Sequence, residues 1–235
     1  MNNYKHPIEH KNGKESAEYK EYANDFREDR VTQWTSIFYQ CLPIVRLPDV
    51  HTVLEFGSGR KLTSSINRHF GIDHITVDVS DRFNPDHISS IANFNEENRK
   101  FDLVCSFQCL EHNPLEELSD LIIHMGKFTD KYLYVSLPYN GAWFSSFMSI
   151  RLPKIAFHSF WNKQLDGAAG PKIKTASFYQ RSGMDRYRPH WWEVGRPGTS
   201  KKQVQAIFEQ CGFKLIEIKH NPFYTHHIFF LFKKV

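Results

Sequence analysis

Apolar residues in this chain fall into two alternating rhythms. Short runs such as Val53-Leu54, Ile75-Thr-Val77, Phe101-Asp-Leu-Val104 and Tyr132-Leu-Tyr-Val135 have the length and the β-branched and aromatic content of buried strands. Between them apolar residues recur every three or four positions, the spacing of a helix with one covered face. Val31, Trp34, Ile37, Phe38, Cys41 and Leu42 predict an amphipathic helix closed by Pro43 and Pro48, with order beginning near Phe26. Residues 61–70 before Gly71, 115–125 before Gly126 and 201–211 before Gly212 predict further helices, each stopped by a glycine. Residues 75–78, 132–137, 213–218 and 225–232, and more weakly 88–92, predict strands. Such alternation is the pattern of an α/β fold with a largely parallel sheet and right-handed crossovers. Residues 1–25 carry no apolar periodicity and are expected to form an arm ahead of a single domain of residues 26–235.

Three of the predicted strands end in residues suited to a ligand. The run from His51 to Gly59 passes from apolar residues into Glu55, Gly57, Ser58 and Gly59. Glycines at that point let the backbone turn sharply and come close to a bound molecule. Ile75 to Ser80 carries Asp78, 19 positions after Gly59, where an acid can accept ribose hydroxyls. Phe101 to Pro114 reads FDLVCSFQCLEHNP, a strand that breaks into a polar loop and then a helix. A dinucleotide fingerprint would need a third glycine where this chain has Leu62, which would block close approach of helix to strand beside a pyrophosphate.

These blocks resemble the class I S-adenosylmethionine-dependent methyltransferases, in the branch whose fourth strand reads FDLV and is followed by LEH. The resemblance covers about residues 51 to 138 and implies a Rossmann-like, mostly parallel seven-stranded sheet, helices on both faces, its last strand antiparallel. It also implies S-adenosyl-L-methionine as cofactor. Asp78 would then take the ribose hydroxyls, with Asp81 as the fallback, and Glu55 would organise the glycine loop. Asn93 resembles the position that reads the adenine amine, and Ser106 and Phe107 would lie under the methionine part. The further glycine that the family often has near Arg60 or Lys61 is missing.

Residues 139–196 exceed an ordinary connection and are expected to form a substrate cap inserted after strand five. The segment holds nine basic residues against three acids and is dense in aromatics. That mixture suits an anionic, sugar-like or nucleotide-like small molecule, although the aromatics could equally be the cap's own core. Methyl transfer to oxygen or nitrogen benefits from a base. His190 with Glu193 is the first candidate and His112 the second, and Tyr139 is placed near the acceptor. RNA methylation and a non-catalytic scaffold are the alternatives, the first opposed by a formal net charge of only +4, the second by intact Gly57, Gly59 and Asp78.

The longest apolar run, Ile228 to Phe232, is too short for a membrane span. The first thirty residues are rich in Lys, Glu, Asn and Tyr rather than apolar, so a cytoplasmic protein is expected. Four cysteines without a close CxxC pair read as reduced thiols. Cys105 and Cys109 lack the second pair of a zinc site, and adjacent His226 and His227 point to opposite faces of a strand, so no metal ion is expected.

Overall fold

The computed structural model describes residues 31–96, 99–152, 155–165 and 190–235. Its helices are α1 (Val31–Arg46), α2 (Leu62–His69), α3 (Leu118–Gly126) and α4 (Lys201–Gln210). Its strands are β1 (Thr52–Phe56), β2 (Asp73–Asp78), β3 (His87–Ile88), β4 (Phe101–Phe107), β5 (Thr129–Pro138), β6 (Ala142–Leu152), β7 (Ile155–Leu165), β8 (Phe213–His220) and β9 (His227–Lys234). Seven strands form one sheet in the order β3-β2-β1-β4-β5-β9-β8. The five on the β3 side run parallel, and β9 is antiparallel to both β5 and β8. The carboxyl ends of β1, β2, β4 and β5 therefore share one edge, and β9 begins there, His227 opposite Pro138.

Alternation along the strands divides the core in two. Leu54, Phe56 and Val104 face Leu121, Ile122 and Met125 of α3 and Val204 and Phe208 of α4. Val53, Leu103, Cys105 and Phe107 face the other way, with Ile44 of α1, Tyr134 and Phe229. Helix α2 joins α1 on that second side, where Thr63 donates to Gln40 at 2.6 Å. Each of these buried side chains contributes roughly 1.5 to 3 kcal/mol. At the amino end of β1, the Asp102 carboxylate accepts from the amides of His51 and Thr52 and pairs with Lys131 at 2.8 Å. Burial pushes its pKa up, but these donors outweigh it and hold the group at about 2.

Strand β5 begins at Thr129, three residues ahead of expectation, and two further boundaries depart more instructively. Helix α1 does not stop at Pro43 but continues to Arg46. Pro43 lacks the N–H that would bond the carbonyl four residues back, and the Tyr134 hydroxyl, at 2.6 Å from the Tyr39 oxygen, donates to it instead. The strand expected over residues 88–92 is only His87–Ile88, because the chain turns at Ile91 to Asn93.

Beyond β5, strands β6 and β7 pair with each other in a separate antiparallel sheet, Ala142 opposite Leu165. Residues 166–189, and with them five of the nine basic residues of the expected cap, lie outside the described residues. The chain re-enters at His190, and Val194 bridges Tyr139 in parallel. Asn140 N donates to Val194 O at 2.8 Å and Val194 N to Pro138 O at 2.9 Å. Both ends of the segment are thus joined at the sheet's carboxyl edge. The arm expected over residues 1–25 also lies outside the described residues.

Candidate functional site

Left-handed backbone is concentrated at that carboxyl edge. Gly57 and Gly59 have φ of 73° and 46°, and Lys61, Asn84 and Gln108 join them at 61°, 49° and 52°. Side-chain-bearing residues in this region cost about 1 kcal/mol or more each, and such strain tends to gather where a loop must meet a ligand. Lys61 stands where the sequence lacked the family's further glycine and adopts the conformation that a glycine would. Gly57 N donates to Val77 O at 2.8 Å, tying the loop to β2. Gly59 N donates to one oxygen of Asp78 at 2.8 Å, and Ser80 N to the other at 2.9 Å. A carboxylate offers about four lone-pair directions, so Asp78 is fixed in place with acceptor capacity left.

Gly57 is also needed within the loop itself. A Cβ there would lie 2.6 Å from Cys109 Sγ and 2.8 Å from its Cβ, so the loop's own neighbour leaves no room for a side chain. Glu55 is paired with β2 rather than presented to a ligand: its carboxylate, 3.0 Å from buried His74, is itself buried. Phe107 turns its ring into the core against Tyr134, leaving its main chain at the edge, while Ser106 is fully buried. Ser58 is also buried. Asn93 is exposed in the turn after β3.

A second constellation stands where the chain re-enters. Its segment is fastened to the loop after β4: Trp191 N donates to Glu111 O at 2.8 Å, and Trp192 Nε1 to Asn113 O at 3.1 Å. His190 Nδ1 lies 3.1 Å from Glu193 Oε1. The other Glu193 oxygen accepts from Asn140 at 2.6 Å and Arg196 at 3.2 Å. Burial raises the Glu193 pKa, but the hydrogen bonds from His190 and Asn140 prevail and hold it at about 2. The His190 ring stands 5.3 Å from that of His112 and is stacked 6.1 Å from that of His226. Burial pushes the Glu111 carboxyl up to about 7.

Tyr139 is buried beneath Gly141, its ring 5.2 Å from that of His220. It shapes the junction where the segment leaves and returns. His226 and His227 do diverge as expected, and the ring of His227 meets Ser36 of α1. His226 nevertheless joins His190 and Glu193, a contact that spacing within one strand could not reveal. The available signal was the antiparallel last strand, which must begin at the ligand edge. Glu111 was visible in the LEH run but drew no role of its own from the sequence, and Asn140 carried no signal.

Residues 26–218 match the family model of the methyltransferase domain. The chain belongs to that family. Together with the sheet order, this makes it a class I S-adenosylmethionine-dependent methyltransferase. Its fold is shared by a 1,6-didemethyltoxoflavin-N1-methyltransferase of Burkholderia thailandensis solved with its substrate and S-adenosylhomocysteine (TM-score 0.58, 12% identity, 92% of this chain and 87% of that one). It is also shared by an S-adenosylmethionine-dependent methyltransferase of Clostridium acetobutylicum (0.55, 10%, 92% and 98%), and by CalS10, an amino pentose methyltransferase of Micromonospora echinaspora solved with S-adenosylmethionine (0.54, 11%, 97% and 100%). No curated protein matches the chain by sequence. Among the described residues no helix is long and apolar enough to cross a membrane.

Proposed function

We propose that this methyltransferase transfers a methyl group from S-adenosylmethionine to an oxygen or nitrogen of a small molecule with anionic, sugar-like or nucleotide-like character. The observation that carries the reading is the convergence of two sites on one sheet edge. The glycine loop and Asp78 stand at the ends of β1 and β2, and the His190–Glu193 pair is fastened to the loop after β4. When bound, the cofactor supplies a methyl group already activated on sulfonium, so the protein's task is mainly alignment, worth on the order of 7 to 11 kcal/mol.

The residues present fit that cofactor. Asp78 would accept the ribose hydroxyls, and residues 57–59 would offer main chain to the amino-acid part, with Glu55 bracing the loop from below. Asn93 would meet the adenine amine, and the main chain of Phe107 the ammonium, while Ser106, fully buried, is out of the ligand's reach and supports the strand end from within. On the acceptor side, residues 139–196 form a cap, and the cluster of His190, Glu193 and His112 makes the polar wall at which the acceptor's proton is lost. Glu193 fixes the His190 ring from its Nδ1 side. The acceptors of two proteins of the same fold, a toxoflavin precursor and an amino pentose, are small ring molecules, in keeping with this reading.

Adenosylhomocysteine is expected to raise the melting temperature. His190→Ala should leave that shift intact while lowering methyl transfer about a hundredfold. An undiminished rate in the variant, measured with labelled cofactor and an acceptor found by screening, would remove His190 from the reaction.

A further inference from the structure

Glu111 is a buried carboxylate that the fold leaves uncompensated. Its residue has no solvent exposure, and both side-chain oxygens are buried without a hydrogen-bond partner. Buried carboxylates are costly unless paired or bound to a cation, and an orphaned one calls for an explanation. Its immediate neighbours are nitrogen donors: one carboxylate oxygen of Glu111 and one ring nitrogen each of His112 and His190 lie within 4.8 Å of one another. Donors held about 2.0 to 2.2 Å from a common ion are roughly 3 to 4.4 Å apart, so small rotamer changes suffice to converge them.

We infer that Glu111, His112 and His190 form a binding site for a first-row divalent cation such as Mn2+ or Zn2+, with Glu193 orienting the His190 ring. Two imidazoles and one carboxylate are the donor set of open metal sites: the imidazoles suit Zn2+ and the later first-row ions, the carboxylate also admits Mn2+, and the all-oxygen shells that Mg2+ and Ca2+ prefer are not offered. The arrangement around His190 supports the assignment. Its Nδ1 is turned to Glu193, which directs Nε2 to the opposite side of the ring, and a carboxylate behind a ligating histidine is the usual outer support of such sites. Glu193 is in turn held by Asn140 and Arg196. A second grouping, His190 with Glu193 and His226, is equally close, but its carboxylate already has these partners, whereas that of Glu111 accepts no hydrogen bond from any other residue.

The inference rests on the proposed reading of the pocket and supplies its chemistry. A cation here would anchor the acceptor heteroatom and loosen its proton, the task assigned above to the polar wall. It narrows the acceptor to molecules that present an ionisable oxygen or nitrogen to a metal.

Chelator-treated full-length protein, titrated with MnCl2 in a calorimeter and with CoCl2 by visible absorption, should bind one equivalent. Mg2+ should bind at least tenfold more weakly than Mn2+. Glu111→Gln should weaken Mn2+ binding a hundredfold or more, Glu193→Gln by ten- to a hundredfold, and His226→Ala by less than threefold. Unchanged adenosylhomocysteine thermal shifts in the variants would show that they are folded. The inference is overturned if the wild type binds no stoichiometric Mn2+ or Co2+. It is equally overturned if Glu111→Gln binds as the wild type does, or if His226→Ala loses as much as Glu111→Gln. Failure of the methyltransferase reading looks different, since adenosylhomocysteine would then stabilise none of the proteins.

Discussion

A methyl group added at Gly57 would press on the Cys109 sulfur while forcing a side chain into left-handed backbone. The two penalties together amount to about 2 to 5 kcal/mol. Gly57→Ala should therefore lower both the melting temperature and cofactor affinity, and adding Cys109→Ala should recover the part due to the sulfur but neither the 2.8 Å approach to the Cβ at position 109 nor the backbone term. Additive losses in that double-mutant cycle would mean the sulfur is not what excludes the side chain. Asp78 supports a separate expectation. Each of its oxygens already takes one amide hydrogen, so Asp78→Ala costs both loop order and the ribose contact, and should weaken adenosylhomocysteine binding at least tenfold by calorimetry. Full affinity would move the ribose elsewhere, Asp81 being the next candidate. Both positions were legible in the sequence because glycine and a strand-ending acid carry their meaning in their type. Glu111 was not, since its significance lies in what surrounds it, and burial without a partner is invisible to spacing.

Among the elements, β1 and β4 are secured at their amino ends by Asp102. Its folded pKa of about 2 lies below the ordinary carboxylate value, so its contribution is fully present above pH 4 and is lost as pH falls from about 4 to 2. Because the side chain is one-fifth exposed, roughly 1 to 2 kcal/mol is a fair magnitude. Urea unfolding of wild type and Asp102→Asn should differ by that amount at pH 7 and converge near pH 2. A gap independent of pH would assign the effect to geometry rather than charge. Among the described residues the periodicity located all four helices and each strand of the main sheet, because each buries one face or both. It misjudged α1 at Pro43, where the missing hydrogen bond is replaced by the hydroxyl of Tyr134, a residue 91 positions away. Rules that read neighbours in sequence cannot see such a donor. They also shortened β5, whose first residues, Thr129 to Lys131, are too polar to look like strand.

At the scale of the whole molecule, the chain leaves the sheet at Tyr139 and rejoins it at Val194, and these two residues are bridged directly. Replacing residues 142–189 with a short glycine-serine linker should leave the sheet folded and its adenosylhomocysteine thermal shift present, while methyl transfer disappears. Loss of the shift as well would show that the segment helps hold the cofactor. The composition of residues 139–196 marked the segment as unusual, but its aromatics fit a packed core as readily as a binding surface, so sequence alone did not assign it a partner.

The bridge between Tyr139 and Val194 also bears on how such an enzyme changes over generations. To the seven-stranded sheet, the fifty-four residues between them are a detour of no net displacement. Closure entropy grows only with the logarithm of loop length, so a lineage can lengthen, shorten or rewrite that detour at little thermodynamic cost. Under the proposed role of the segment as acceptor cap, selection for a new acceptor can then act on one continuous stretch of gene while the cofactor edge is inherited intact. A foreign stretch spliced between the same two residues would on that proposal meet the same donor, which makes this junction the point at which to recombine enzymes of different acceptor choice.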